Sequence, residues 1–403
     1  METKRHAAVA RLRFGVLVAV AVMALLVGVA ATPATPAAGA ATPAAWTIAV
    51  YVNADNNLEP YWDSFNLPQL ESLPASSAVN VVAMVDRLST SGTQLVKLGG
   101  GQERVVANYP EKDFGDGATF AWFLSTVHRL YPATHLAVIA WDHGYGWRYF
   151  SYDETSGDRI TMPELQTALQ TAKVPVAILG FDACNMADIE VAYQVSLTGL
   201  VHLMVASEQT VAGSGYPYDT MFAPVVSNPS RTPAQVANDM VQAYGDYYAA
   251  QSYTNGTANT ATLSATDITT LATYTADIQA WSRRLHTDLP TYRKVYLHDL
   301  NQTYIAWESD HYDLGNFAGI LASDPAVTDS TLKALTQRVV SDIKTSVLSE
   351  RNGTKAAACT GLTLWFGQHL DWTTWQDAYA AEVAYGQPAA MDWWAFLNDL
   401  NAK

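Results

Sequence analysis

Three short apolar runs, at residues 136–140, 176–181 and 201–206, constrain the fold more than any other feature of this chain. The first two are unbroken, the third is interrupted only by His202, and polar residues follow each run within two positions. Such runs are typical of strands that are buried on both faces, as in a parallel sheet covered by helices. Because the carboxyl ends of parallel strands meet at one edge of a sheet, we expect the polar residues after these runs to line a functional crevice.

Helical patterns separate the runs and give the chain a strand–helix–strand order. Residues 118–131 carry apolar side chains at helical spacing, and the sequence TMPE from Thr161 to Glu164 is a capping box with a proline in the first turn. We therefore predict an α/β fold, a three-layer α/β/α sandwich with a mostly parallel sheet, over residues 46–227. Residues 228–403 have mainly helical patterns, and are expected to form either a helical region packed on this domain or an extension of its sheet.

The first 40 residues have the pattern of a secretory signal peptide. Four basic residues precede an apolar run at residues 14–31, and small-residue cleavage sites follow it. An uncleaved membrane anchor is the alternative, since a run of this length is near the lower limit for spanning a bilayer. Residues 41–45 end an Ala/Thr/Pro linker. We expect the mature protein to be secreted, with membrane contact only if the N-terminal segment is retained.

The composition limits the classes of partner. The chain has 403 residues, of which 23 are basic and 38 acidic, and its formal net charge is −15. An acidic protein is poorly suited to binding nucleic acid or an anionic membrane, so we expect neither as a partner. The two cysteines could form one disulfide in an exported chain, which is the simplest structural interpretation of Cys184.

Cys184 and His143 each follow an apolar run and are the candidate catalytic residues. A cysteine attacks as its thiolate, which a neighbouring imidazolium and a helix N-terminus both favour. Cys184 lies between a predicted strand and a predicted helix, so both influences are expected there. Gly144 leaves room for a substrate carbonyl, and the amides of Gly144 and Cys184 could form an oxyanion hole. His143 would act as general acid and base.

The pair HG at residues 143–144 and the triple DAC at residues 182–184 resemble the clostripain family of cysteine peptidases, relatives of caspases, gingipains and legumain. Weaker similarities to that family lie at residues 55–59, 206–208, 213–218, 312–317 and 361–366. The resemblance covers residues 46–225 well and the C-terminal half loosely. It implies a caspase-like fold and a Cys–His dyad that reacts through a thioacyl-enzyme.

Similarity to this family also implies an endopeptidase that cleaves protein or peptide substrates after arginine and sometimes after lysine. Asp182 matches the family's aspartate in the pocket for the basic side chain, and capping of the following helix is its alternative role. Glu208 and Asp219 follow the third run and could add to the pocket, although each could equally be structural. A carboxylate can pair with a guanidinium through two hydrogen bonds, which would favour arginine.

Members of the family are often activated by cleavage between the histidine and cysteine segments. Arg148 and Arg159 lie there, in a loop that we expect to be exposed, and self-cleavage after Arg159 is our hypothesis. The resemblance implies no required cofactor, but calcium dependence occurs in the family. The turn at residues 55–59 offers oxygen ligands, with helix capping as the alternative explanation. Residues 310–313 resemble a metal cluster, but we interpret them as the start of a helix and predict no metal ligands there.

Two other functions remain open at this stage. A caspase-like pseudoenzyme could serve as an extracellular binding module, although the presence of both Cys184 and His143 disfavours it. A sibling peptidase could cleave after asparagine or aspartate. An acidic pocket would repel an aspartate side chain and gives asparagine no charge advantage.

Overall fold

A nine-stranded sheet is the centre of the computed structural model, which describes residues 43–251, 259–307, 310–368, 370–385 and 392–402. The described strands are β1 (Ala44–Ala54), β2 (Val79–Arg87), β3 (Thr93–Leu98), β4 (Glu103–Tyr109), β5 (Ala133–Trp141), β6 (Phe150–Asp153), β7 (Asp158–Ile160), β8 (Val176–Asp182), β9 (Val201–Ala206), β10 (Thr262–Asp267), β11 (Ile305–Trp307), β12 (His311–Asp313), β13 (Val347–Asn352) and β14 (Thr363–Trp365). The order across the main sheet is β13-β10-β9-β8-β5-β1-β2-β3-β4. The five strands from β9 to β2 are parallel, and antiparallel pairs flank them at both ends.

Helices cover both faces of this sheet. The described helices are α1 (Glu59–Tyr61), α2 (Leu67–Ser72), α3 (Gly117–Leu130), α4 (Met162–Ala172), α5 (Ile189–Ser196), α6 (Tyr218–Ser227), α7 (Pro233–Gln251), α8 (Ile268–Thr273), α9 (Thr275–Leu300), α10 (Leu314–Ser323), α11 (Ser330–Ser346), α12 (Leu370–Glu382) and α13 (Trp393–Asn401), with a π-helical turn at Trp62–Asn66. Neighbouring residues of β1 face opposite layers: Tyr51 packs in the core that includes α3, α4 and α5, whereas Val50 packs in the core that includes α2, α6 and α7. The predicted three-layer sandwich is therefore confirmed.

The three apolar runs form β5, β8 and β9, as the sequence predicts. Their side chains are almost entirely buried, because each strand is hydrogen-bonded to a neighbour on either side and covered by helices above and below. The predicted capping box opens α4: the side chain of Glu164 accepts a hydrogen bond from the amide of Thr161 at 2.8 Å. The apolar runs thus determine where β5, β8 and β9 lie, and the candidate site is built from residues at the ends of these strands.

The C-terminal half combines the two arrangements that the sequence left open. It is mainly helical, yet β10 and β13 also extend the main sheet beyond β9. It further supplies a small antiparallel sheet of β11, β12 and β14, whose isolated bridge from Thr363 to Asp188 joins it to the segment after Cys184. Residues on both sides of position 227 belong to one compact unit, Pro43–Lys403.

Two sequence predictions concern covalent and membrane features. Cys184 and Cys359 are both free, so the disulfide interpretation of Cys184 is wrong. Among the described residues, no helix combines the length and apolar character that crossing a membrane requires. The predicted signal peptide, at residues 1–40, lies outside the described residues.

Candidate active site

The pairing of β5 with β8 brings the two catalytic candidates to the same level of the sheet. Trp141 is the register partner of Asp182, and the amide of Asp142 donates to the carbonyl of Asp182 at 3.3 Å. His143 and Cys184 each follow this pair by two residues. Both residues therefore lie just beyond the ends of adjacent parallel strands, at the carboxyl edge of the sheet. This is the edge at which the sequence predicts the crevice.

Gly144 brings the histidine segment into contact with the cysteine segment. A β-carbon on Gly144 would collide with the carbonyl oxygen of Cys184 and would come within 3.0 Å of both Ala183 Cβ and Met186 Sδ. No other residue fits at this position without displacing the chain. The absence of a side chain here is thus what allows the two backbone segments to lie against each other.

His143 is half-buried and is held by a residue from a third strand end. Its Nε2 lies 2.9 Å from Oδ1 of Asn57, shortly after β1, the neighbour of β5 on the other side. An amide oxygen can only accept a hydrogen bond, so Nε2 carries the proton and Nδ1 keeps its lone pair. Burial lowers the pKa of His143, which favours the neutral ring that can accept a proton. From the sequence, Asn57 is expected only as part of a calcium turn. Its position shortly after the strand beside β5 is the feature that could have identified it as a partner of His143.

The thiol of Cys184 is protonated in this arrangement. Its Sγ donates to the carbonyl of Val211 at 3.8 Å. Burial raises the pKa of Cys184 to about 11, and the nearby carboxylates of Asp182 and Asp142 add to the increase. The expected helix N-terminus is not beside the sulfur, because α5 begins only at Ile189. The expectation that a helix would favour the thiolate is therefore wrong, and activation falls to the histidine.

Asp182 presents a buried carboxylate two residues before Cys184. Its Oδ2 accepts hydrogen bonds from the amide of Tyr216 at 3.0 Å and from the hydroxyl of Tyr218 at 2.9 Å. The close approach of Gly215, whose φ is +63°, makes room for this carboxylate. Burial raises the pKa of Asp182 to about 7 despite these two hydrogen bonds. Asp188, and not Asp182, precedes α5, so the alternative capping role does not apply.

The sequence pattern of the clostripain family matches residues 50–397. The chain belongs to the clostripain family. Clostripain of Hathewaya histolytica is 29% identical over 225 residues, covering 44% of this chain and 41% of that protein. The match therefore spans less than half of the length of that relative.

Two solved structures with similar folds support the architecture. A secreted C11 cysteine protease of Bacteroides thetaiotaomicron, in complex with an irreversible peptide inhibitor, is 18% identical with a TM-score of 0.66. An inactive zymogen C11 protease of Parabacteroides distasonis is 17% identical, also with a TM-score of 0.66. Each comparison covers 88% of this chain and 99% of the other. At these identities the likeness concerns the fold, and it confirms the caspase-like sandwich.

Glu208 and Asp219 accept hydrogen bonds from residues other than the two that donate to Asp182. The buried carboxylate of Glu208 accepts from the amide of Gly361 at 2.6 Å, and its nearest titratable neighbours are Asp313 and Cys359. Asp219 lies half-buried in the first turn of α6, where it accepts from the amide of Thr220 at 2.7 Å. Neither is hydrogen-bonded to Asp182 within the described part of the chain. That they add to the specificity pocket stays a prediction.

The two arginines proposed for self-cleavage lie in opposite environments. The side chain of Arg148 is only 1% exposed and forms an ion pair with Asp310 at 2.7 Å. The prediction that Arg148 lies in an exposed loop is wrong, because its interior partner comes from a segment 162 residues away. Arg159 is exposed on β7, with its guanidinium 4.9 Å from the ring of Tyr149. Of these two arginines, Arg159 is the one that a peptidase could reach in the folded chain.

The predicted calcium turn is mostly occupied by other contacts. Asn56 donates to Asp142 at 2.7 Å, Asn57 contacts His143, and Glu59 accepts from the amide of Ser89 at 3.0 Å. Within the described residues, Asp55 is the residue of this turn with a buried carboxylate oxygen that has no hydrogen-bond partner.

A different set of carboxylates gathers around Asp55. Side-chain oxygens of Asp55, Asp86 and Glu111 lie within 4.8 Å of one another. Within the described residues, Oδ1 of Asp55 and Oδ2 of Asp86 are buried without a hydrogen-bond partner. Burial, and then repulsion by Glu111, raises the pKa of Asp86 to about 8. Oxygen ligands with unmatched negative charge suit a calcium ion.

Residues 310–313 lead into a helix, as the sequence predicts. Asp313 caps α10 by accepting a hydrogen bond from the amide of Asn316 at 2.6 Å.

Proposed function

We propose that this chain is an exported cysteine endopeptidase that cleaves proteins or peptides after arginine, and less readily after lysine. The observation that supports the proposal is the register of β5 and β8, which pairs Trp141 with Asp182, so that His143 and Cys184 each follow a paired strand end by two residues. Membership of the clostripain family supports the same reaction. Export rests on the predicted signal peptide.

In the proposed reaction, Cys184 Sγ attacks the substrate carbonyl while its proton passes to Nδ1 of His143. The high pKa of the thiol and the lowered pKa of the histidine favour a neutral pair at rest, so the proton moves as the bond forms. The amides of Gly144 and Cys184 stabilise the developing oxyanion. His143 then protonates the leaving amine, which leaves a thioester, and later takes a proton from the water that hydrolyses it.

Asp182 gives the proposed specificity for a basic residue. Both hydrogen bonds that it accepts from described residues end on Oδ2, which leaves Oδ1 for a cationic side chain. A buried carboxylate with a raised pKa gains most from a cation, because the cation offsets the cost of ionising it there. The same charge would repel aspartate and would give neutral asparagine no advantage, so cleavage after either residue is disfavoured relative to arginine.

Arg159 and the acidic group around Asp55 add two features to the proposal. Exposure of Arg159 between the histidine and cysteine segments supports self-cleavage after it. Asp55, Asp86 and Glu111 would hold calcium, which would neutralise these buried carboxylates beside the strand ends. The reaction at Cys184 does not require this ion as a participant.

The central experiment profiles a library of peptides with the wild-type protein and with Cys184→Ala. We expect cleavage after arginine and lysine by the wild type and none by the variant. Equal turnover by both proteins, or no preference for cationic residues, would overturn the assignment.

A binding module without catalysis is the competing function, and the raised pKa of Cys184 is the observation in its favour. An arginine-directed, thiol-reactive inhibitor distinguishes the two. Labelling of Cys184 supports the peptidase, whereas an unlabelled cysteine in a folded protein supports the binding module.

A further inference from the structure

Four buried charged residues near the candidate site form what we call the interior charge cluster: Arg148, Asp188, Asp310 and His311. Arg148 Nη2 lies 2.7 Å from Oδ2 of Asp310, and His311 Nδ1 lies 2.6 Å from Oδ1 of the same carboxylate. His311 Nε2 lies 3.5 Å from Oδ2 of Asp188. None of the four side chains is more than 1% exposed. Two cations and two carboxylates thus compensate one another inside the protein.

The members of this cluster come from three separate segments of the chain. Arg148 belongs to the loop that follows His143, and Asp188 to the loop that follows Cys184. Asp310 and His311 come from the C-terminal half, at the start of β12. The cluster therefore joins both catalytic loops to a part of the chain that supplies neither catalytic candidate.

Two further contacts tie the histidine loop to the cysteine loop at this cluster. The amide of Trp147 donates to Oδ2 of Asp188 at 3.0 Å. Gly146, whose φ is +58°, approaches so closely that a β-carbon would lie 2.9 Å from His311 Nε2 and 3.0 Å from Asp188 Oδ2. The backbone after His143 is thus held against the cluster with no spare room.

Aromatic rings hold the guanidinium of Arg148 in place. It lies 4.7 Å from the ring of Tyr145 and 4.9 Å from that of Trp375, and the indole nitrogen of Trp365 donates to Asp310 at 2.6 Å. A buried ion pair is a poor source of stability, since apolar residues of similar volume often stabilise a fold as well or better. What such a network supplies is a fixed geometry, because its hydrogen bonds can be made in only one arrangement.

We propose that Asp310 and His311 are positioning residues, which hold the His143 loop against the Cys184 loop and so make the C-terminal half a working part of the active site. This inference rests on the proposed peptidase function. The two residues act through Arg148, Gly146 and Asp188, and do not touch the substrate. Although burial alone would lower it, the Asp310 carboxylate raises the pKa of His311 to about 9, which keeps the compensating charge in place at neutral pH.

The first test compares two glycines that both have positive φ. Gly146→Ala adds a methyl group against the cluster, whereas Gly199→Ala adds one into open space, where nothing lies within 4 Å of it. Gly199 precedes the amino end of β9, at the edge of the sheet opposite the site. We expect kcat to fall about 10- to 100-fold in Gly146→Ala, since small displacements of reacting groups have effects of this size. The kcat of Gly199→Ala should stay within about twofold of the wild type.

The second test removes the imidazole itself. His311→Gln is compared with His286→Gln, a histidine of the same half that contacts Asp399 at the surface at 2.8 Å. The readouts are kcat, KM and the pH profile of iodoacetamide alkylation at Cys184, all measured well below each melting temperature. We expect a lower kcat, a nearly unchanged KM and a shifted alkylation profile for His311→Gln only.

The outcomes separate this inference from the proposed function. Equal kcat values for the two alanine variants would overturn it, as would a His311→Gln protein that melts earlier but keeps the wild-type kcat and alkylation profile. If the wild type cleaves no peptide, the peptidase proposal fails, and the alkylation profiles still decide whether the cluster positions the thiol and the imidazole.

Discussion

Oδ1 of Asn57 lies 2.9 Å from Nε2 of His143, across the boundary between the ends of β1 and β5. The amide oxygen fixes the tautomer in which Nδ1 is free of its proton, and it sets the orientation of the ring. A histidine that must first receive and then return a proton depends on both properties.

Replacement of Asn57 should therefore slow the chemistry more than it weakens substrate binding. We expect Asn57→Ala to lower kcat about tenfold, the effect of losing one hydrogen bond of about 1.4 kcal/mol, with little change in KM. Steady-state kinetics on an arginine peptide measure this. Asn108→Ala, at an exposed position of β4, is the control and should behave as the wild type. An unchanged kcat in Asn57→Ala would show that the contact has no catalytic role.

The pKa of Asp182, about 7, makes the preference for arginine depend on pH. Below this value the folded protein holds the carboxyl neutral, and above it the carboxylate attracts a cation. The ratio of kcat/KM for an arginine peptide to that for its neutral citrulline analogue should rise as the pH passes upward through about 7. Ionisation of Cys184 and His143 affects both substrates and cancels in the ratio.

Asp182→Asn supplies the control for that profile. Loss of a charge-assisted hydrogen bond should reduce the arginine-to-citrulline ratio about 10- to 100-fold at pH values above 7. The residual ratio should no longer vary with pH. A variant that retains both the preference and its pH dependence would place the specificity at another residue.

Self-cleavage should occur after Arg159 and not after Arg148. Mass spectrometry of the purified wild type should find new termini at residues 159 and 160, and Arg159→Ala should remain uncut there. Because the Arg148 side chain is only 1% exposed, no fragment should end at it while the protein is folded. Cys184→Ala incubated alone should stay intact, which distinguishes self-cleavage from a contaminating protease. A fully active enzyme with one unbroken chain would contradict the prediction.

Calcium should stabilise the fold through Asp55, Asp86 and Glu111. A ligand that binds only the folded state adds about 2.7 kcal/mol at 100 times its Kd, so the melting temperature should rise with calcium concentration. This rise should be absent in Asp86→Asn and retained in Glu103→Gln, an exposed carboxylate on β4. Equal rises in both variants, or none in the wild type, would rule out a cation at this position.

Local sequence patterns predict the strands of the site because those patterns have local causes. β5, β8 and β9 each contain a nearly continuous apolar run because both of their faces are covered, and this is visible without knowledge of any partner. Once parallel pairing is assumed, His143 and Cys184 must reach the same edge. The capping box at Thr161 is equally local and is confirmed.

Two differences between the predictions and the structure concern side chains whose partners are distant in sequence. Arg148 follows the histidine in a polar, turn-rich stretch that resembles an exposed loop, but Asp310 and a set of aromatic rings enclose it. Glu208 was expected in the pocket because it follows β9, yet its carboxylate faces Gly361 in the C-terminal half. Neither partner can be inferred from residues near these side chains in the sequence.

The order of strands in the main sheet has a consequence for a chain cut between β7 and α4. Every strand from β1 to β5 would belong to one fragment, and β8, β9, β10 and β13 to the other, so the sheet divides at the single seam between β5 and β8. His143 and Cys184 would then lie on different polypeptides without any covalent link. The contacts between the two fragments would include the pairing of β5 with β8, the packing of α3 on α4 and the ion pair of Arg148 with Asp310. A nicked molecule of this kind would behave as an obligate heterodimer, whose activity at high dilution reports how tightly its two halves hold together.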